Sequence, residues 1–140
     1  MNFSNLGIRH FFFSIKMFTS MFSLLRLGSR QFSIKRLSML QGLKQPGRLI
    51  VDVRTAEEVS QGGTCPGSVH VPLAAVFADI SQFGGDKSRP IVFYCKKGIR
   101  AADAAEFIRR NGFTNAFSAI DGETVNRLIT EINMDQKKAK

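Results

Sequence analysis

The sequence predicts an α/β fold in which a central, largely parallel sheet is flanked by helices. Three observations predict it. Short β-preferring runs (Leu49-Ile50-Val51, Val69-His70-Val71, Ile91-Val92-Phe93-Tyr94 and Asn115-Ala116-Phe117-Ser118-Ala119) alternate with stretches of helical propensity. The most apolar of these runs ends on Cys95 and passes through a short cationic, glycine-containing turn into an alanine-rich helix. About 100 residues remain once a basic N-terminal segment is set aside, enough to bury one core.

The N-terminal segment stands apart by charge. The chain carries a net charge of +9 over its 140 residues. Residues 1–50 hold eight Lys/Arg and no Asp or Glu, while residues 51–140 hold twelve and eleven, a balance of +1. The basicity therefore gives no reason to expect a nucleic-acid-binding fold.

Residues 1–32 are rich in Arg, Ser, Phe and Leu, the composition of a mitochondrial transit peptide. On a helix, Arg9, Lys16, Arg26 and Arg30 share an arc of roughly 100°, with Phe18, Met21 and Leu25 broadly opposite. The expected location is the mitochondrial matrix. Arg30-Gln31-Phe32-Ser33 has the form of a matrix-peptidase site cut after Phe32. A secretory signal is the rival, but Lys16 interrupts the apolar run from Phe11 to Leu27. No uncharged apolar stretch is long enough for a membrane span.

The domain is expected over residues 33–134, followed by a frayed basic tail, 135–140. Ser33 is the expected N-cap of a helix bearing Leu37, Leu40 and Leu43, ended by Gln45-Pro46-Gly47. Arg48 to Arg54 reads as a buried strand with a polar exit. Thr55 should cap a short helix, Ala56 to Gln61, with Glu57 and Glu58 in its first turn. A short strand at Val69 to Pro72 follows, then a helix from Pro72 to about Phe83 and a turn at Gly84-Gly85-Asp86.

The strand Ile91 to Cys95 leads through Lys96, Lys97, Gly98, Ile99 and Arg100 into a helix over 101–111, with Gly112 at its C′ position. After the strand at 115–119, a closing helix is expected over Glu123 to Asn133, burying Val125, Leu128, Ile129 and Ile132.

The turn after Cys95 is where chemistry is expected. Lys96, Lys97 and Arg100 crowd a helix N-terminus, where cations are unfavourable by roughly 0.3–1 kcal/mol. Local rules fail most often at functional sites. Three cations and a helix N-terminus suit a bound anion and favour the thiolate of Cys95. The bland alternative is a buried strand-end cysteine beside a solvated basic turn.

Cys95-Lys96-Lys97-Gly98-Ile99-Arg100 resembles the C-x-x-G-x-R loop of the rhodanese (sulfurtransferase) family. Asp52-Val53-Arg54-Thr55-Ala56-Glu57-Glu58 resembles that family's D-V-R-x-x-x-E segment, and Gly63 to Ser68 its G-H-I-P-G-A turn. Thr64 and Cys65 depart from the latter. Asp121-Gly122-Glu123 and Arg127 depart from a usual Gly-Gly pair and following tryptophan. The resemblance covers roughly residues 33–133 and is greatest to the small single-domain thiosulfate sulfurtransferases.

It implies a rhodanese-like domain and a ping-pong reaction. Cys95 would take a sulfane sulfur from thiosulfate, or a related donor, as a persulfide. A thiol such as glutathione, or cyanide, would then remove it. Lys96, Lys97, Gly98, Ile99 and Arg100 would bind the anionic donor, while Asp52, Arg54 and Glu58 would serve the scaffold. No cofactor or metal is expected: two cysteines thirty residues apart, without a histidine cluster, make no metal site. His10 and His70 are isolated, and Cys65 reads as a packed thiol, with a resolving thiol as the other reading. A protein persulfide acceptor, a non-catalytic binding module, and a phosphatase or arsenate reductase remain alternatives. The last uses C-x5-R, one residue longer than the six from Cys95 to Arg100.

Overall fold

A computed structural model describes residues 39–140. The predicted presequence, the Ser33 cap and Leu37 lie outside the described residues. Helix α1 is described over 39–44 and ends in the Pro46-Gly47 turn, where Gly47 has φ +71°. The remaining elements are β1 (Leu49–Asp52), α2 (Ala56–Gly62), β2 (Val69–His70), α3 (Leu73–Ala78), a 3₁₀ turn (Ser81–Phe83), β3 (Ile91–Cys95), α4 (Ile99–Arg110), β4 (Ala116–Asp121) and α5 (Gly122–Lys138).

The four strands form one parallel sheet in the order β2-β1-β3-β4. Strand β3 lies inside it, and all five of its residues are buried. An unbroken apolar run suits such a strand because helices cover both faces.

Alternation along β3 divides the core. Ile91, Phe93 and Cys95 face a layer with Val51, Val53, Val76 of α3 and Ala101, Ala104, Ala105 and Ile108 of α4. The three alanines let α4 lie close to the sheet. Val92 and Tyr94 face the other layer, with Met39 and Leu43 of α1, Cys65, and Val125, Leu128 and Ile132 of α5. Burying each large apolar side chain contributes roughly 1.5–3 kcal/mol.

Two glycines make room for aromatic rings in this layer. A Cβ on Gly122 would stand 2.8 Å from Tyr94 Cε2, so glycine lets α5 start against that ring. Gly42 likewise yields to Phe117, whose Cδ2 lies 2.6 Å from the position a Cβ would take. Phe117 packs against the α5-side core.

Several boundaries differ from expectation. Helix α3 stops at Ala78 rather than near Phe83. The Asp79 carboxylate accepts from the Ser81 N–H (2.8 Å) and hydroxyl (2.6 Å), an Asx turn that competes with the helix. Gln82 Nε2 then donates to the Ala75 and Asp79 carbonyls. Strand β1 ends at Asp52, two residues early, because the Asp52 side chain accepts the Arg54 N–H at 3.0 Å.

Helix α4 begins at Ile99, two residues before Ala101, because glycine at 98 supplies the turn immediately ahead of it. Helix α5 runs to Lys138, so the segment expected as a frayed tail is mostly its last turns. Lys137 and Lys138 complement the helix dipole there. At its start, Asp121 accepts the Thr124 N–H at 2.7 Å and caps it.

Candidate active site

The C-terminal ends of parallel strands are where an open α/β sheet leaves room for a site. Cys95 is the last residue of β3 and 2% exposed. Its Sγ accepts a hydrogen bond from the Gly98 N–H at 3.0 Å, so the loop curls back over the sulfur. Lys96, Lys97 and Ile99 are exposed. Of the loop residues singled out in the sequence, Gly98 touches the sulfur through its backbone N–H.

Gly98 is required by geometry. It holds φ +88° at the N-cap of α4, a conformation that costs an L-residue roughly 1–2 kcal/mol. A Cβ there would also stand 3.3 Å from Ile120 Cα and 3.6 Å from the Ala119 carbonyl oxygen.

The neighbouring strand has been adjusted to meet this loop. Phe93 pairs with Ser118 and Cys95 with Asp121, so Ala119 and Ile120 together oppose Tyr94. This is a β-bulge on β4 beside the site. Ile120 was not singled out by the sequence, and nothing in its local pattern could have revealed the bulge.

Arg100 has a different surrounding from the two lysines. Its Nη1 donates to Glu58 Oε2 at 2.6 Å and its Nη2 to Oε1 at 2.9 Å, a bidentate pair. Glu58 Oε2 also accepts the Thr55 N–H at 3.0 Å, while the Glu58 N–H donates to Thr55 Oγ1 at 3.3 Å. One carboxylate therefore completes the capping box of α2 and holds the start of α4. The Arg100 and Thr55 hydrogen bonds pull Glu58 down to about 2, from 4.5. Glu58 in turn raises Arg100. Glu58, expected as scaffold alone, touches a loop residue. Among the described residues, no carboxylate pairs with Lys96 or Lys97.

Asp52 and Arg54 do form a structural pair. Asp52 is fully buried, and Arg54 Nη2 reaches its Oδ2 at 2.6 Å and the Gly63 carbonyl at 2.6 Å. Burial pushes Asp52 up, but the Arg54 side-chain and backbone hydrogen bonds outweigh it and leave Asp52 below its ordinary value. His70 Nε2 meets the Arg54 carbonyl at 2.8 Å and tightens the same corner.

Cys65 belongs to the opposite layer from Cys95. Its N–H donates to Tyr94 Oη at 2.8 Å, and its carbonyl accepts from Ser68 Oγ at 2.6 Å. Cys65 packs with Met39, Leu43 and Tyr94 in that layer.

Comparison with known proteins agrees with this architecture. The model of the rhodanese-like domain matches residues 36–125. A rhodanese domain-containing protein of Drosophila melanogaster is 32% identical over 81 residues, covering 50% of this chain and 73% of its own. A thiosulfate sulfurtransferase of Pseudomonas savastanoi pv. phaseolicola is 32% identical over 82 residues, covering 59% of this chain and 74% of its own. Among solved structures, a Rhodopseudomonas palustris protein of unknown function, described as a possible tyrosine phosphatase, is 27% identical with a TM-score of 0.50. That match covers 59% of this chain and 67% of the other. A parallel sheet between two helical layers, a cysteine loop at its carboxyl edge and a family match over most of the domain lead to one assignment: the chain belongs to the rhodanese-like family of sulfurtransferases.

Proposed function

We propose that this protein transfers sulfane sulfur from thiosulfate to a thiophilic acceptor through a persulfide on Cys95. The observation that carries the reading is the Cys95 Sγ, set under a loop whose Gly98 N–H points at it from 3.0 Å. A group that can stabilise a sulfur anion is already oriented there.

In the first half-reaction, the Cys95 thiolate attacks the outer sulfur of thiosulfate. The new S–S bond forms as the sulfur–sulfur bond of the donor breaks, and sulfite leaves with the electron pair. Lys96 and Lys97 attract the dianion, and the first N–H groups of α4, which have no intrahelical acceptor, suit its oxygens. Arg100 positions the loop through Glu58 and is a weaker candidate for the donor's anion. In the second half-reaction, cyanide or a thiolate such as glutathione attacks the outer sulfur of the persulfide and the Cys95 thiolate departs.

The fixed Arg100 also weighs against phosphate-ester chemistry. Its guanidinium is engaged by a carboxylate, and the loop is one residue shorter than C-x5-R. A non-catalytic binding module would have no need of Cys95 beneath such a loop. Residues 1–32 support delivery to the mitochondrial matrix, with cleavage after Phe32.

The chemistry is tested by incubating the domain with thiosulfate and reading its intact mass. Gain of one sulfur on the Cys95 peptide, lost again on adding cyanide or glutathione, is the expected result. An unchanged mass rules the reaction out. Fusing residues 1–40 to a reporter tests import, with matrix entry and cleavage near Ser33 as the expected outcome.

A further inference from the structure

An aspartate ends β4 where the family pattern has a Gly-Gly pair. Asp121 is the N-cap of α5, and both of its carboxylate oxygens are engaged there. Its Oδ1 accepts the Thr124 N–H at 2.7 Å, and its Oδ2 accepts the Thr124 hydroxyl at 3.1 Å. A cap of this kind satisfies one of the donors that a helix start leaves open, and it fixes the chain entering the helix.

The entering chain is the bulge. Strand β4 stands last in the order β2-β1-β3-β4, so among the described residues β3 is its one strand neighbour. Its register with β3 is set at Ser118, opposite Phe93, and again at Asp121, opposite Cys95. Between them, Ala119 is anchored in the α5-side core, whereas Ile120 is 46% exposed. Ile120 therefore depends on Asp121 for its place. Its Cα stands 3.3 Å from the position a Cβ on Gly98 would take, and its carbonyl oxygen 3.8 Å. The Gly98 backbone rests against this wall while its N–H points at Cys95 Sγ from 3.0 Å. A loosened start of α5 would move the wall and let the N–H turn away.

We propose that Asp121 is a positioning residue for sulfur transfer: by capping α5 it holds Ile120 against Gly98, and so keeps the Gly98 N–H on the Cys95 sulfur. This rests on Cys95 carrying the sulfur as described above. Asp121 exchanges no proton and forms no bond in the reaction. Its part is that of an acceptor for Thr124, which an uncharged cap fills equally well.

The test is single-turnover loading of the full chain by thiosulfate, followed by intact mass over a range of donor concentrations. Wild type is compared with Asp121→Asn, Asp121→Thr and Asp121→Ala, since asparagine caps as well as aspartate, threonine less well and alanine hardly at all. The saturating loading rate should fall roughly three- to tenfold in Asp121→Ala and stay within about twofold in Asp121→Asn, with Asp121→Thr between them. The half-saturating thiosulfate concentration should be the same in all four, because attraction of the donor belongs to Lys96 and Lys97. Met134→Gly is the control. Met134 is exposed in the later turns of α5, so glycine there weakens the helix and should leave loading unchanged.

Normal loading in Asp121→Ala, or in Asp121→Thr should the alanine variant not fold, would overturn the positioning role. Asp121→Asn as slow as Asp121→Ala would overturn it too, by making the charge rather than the cap responsible. Equal slowing in Met134→Gly would reduce Asp121 to helix stability alone. All three outcomes leave sulfur transfer intact, whereas a wild type that never gains sulfur would overturn the underlying reading instead.

Discussion

The two cysteines of this chain are almost equally buried, at 2% for Cys95 and 6% for Cys65, yet their surroundings oppose each other. Cys95 ends a central strand, its sulfur accepting an N–H from the loop that leads into α4, with two exposed cations next in sequence. Cys65 sits in a turn on the other layer, where the nearest acceptor to its sulfur is the Pro66 carbonyl at 3.8 Å. Burial, then the Asp52 carboxylate, push the Cys65 thiol above its ordinary value. Exposure alone does not separate the two thiols. The backbone N–H directed at the Cys95 sulfur does.

The largest expected effect breaks this comparison directly. Cys95→Ser should abolish sulfur loading from thiosulfate while the domain keeps its fold, since the substitution changes one atom beneath an otherwise unchanged loop. Cys65→Val should retain loading and cost roughly 1–3 kcal/mol of stability, because valine adds about a methyl group to a packed site. Loading rate and a denaturant midpoint, measured on both variants, decide it. Persistent loading in Cys95→Ser, or its loss in Cys65→Val, would exchange the roles assigned to the two thiols.

Next in size is the loop's geometry. Gly98→Ala forces a side chain into φ +88° and against the backbone of Ile120. The expected cost is roughly 1–2 kcal/mol of stability, with a loading rate reduced at least tenfold as the N–H turns away from the sulfur. Gly62→Ala is the control, because nothing lies within 4 Å of a Cβ there and its φ is not in the left-handed range. A Gly98→Ala variant that loads normally would show that the Gly98 N–H contact is dispensable.

These two cases also separate what the sequence could tell from what it could not. The strand ending on Cys95, the glycine in the turn and the alanines of α4 follow from local pattern, because parallel strands buried on both faces read as apolar runs. The residues of the candidate loop lie close together in the chain, and the loop was legible for that reason. The Glu58–Arg100 contact joins residues 42 apart, and the family-like segment placed Glu58 on a helix without revealing what it faces. The bulge at Ile120 depends on how β4 registers against β3, which a single strand's sequence does not encode. The early end of α3 was concealed by an Asx turn at Asp79 that competes with a good helical pattern.

A third effect, of intermediate size, concerns that long-range pair. Glu58→Gln should free the Arg100 guanidinium and loosen the start of α4, lowering kcat severalfold. If Arg100 then gains access to the donor's anion, KM should fall rather than rise, a response that mere loss of structure would not give. The pair also has a pH signature. Glu58 titrates near 2 in the folded chain against 4.5 for an unperturbed glutamate, so its contribution to stability is complete above about 4.5. It is lost as pH falls from there through 2. The stability gap between the wild type and Glu58→Gln should thus be constant at neutral pH and close below about 4.5. A gap that closes between pH 6 and 8 would point to some other group.

The smallest effect belongs to the lysines. Lys96 and Lys97 are exposed and hold no ion pair among the described residues, so each contributes attraction in a screened medium. Replacing both with Ala should raise the KM for thiosulfate severalfold at low ionic strength and change kcat little, because uniform binding acts on ground and transition states alike. Near physiological salt, with a screening length of about 8 Å, the difference should shrink towards the wild-type value. Stability should hardly move, since no buried contact is lost. If the double variant instead lowers kcat at every salt concentration with KM intact, the lysines act on the reacting sulfur itself. The contrast between the two thiols would then depend on charge at the transition state as well as on the dipole of the loop.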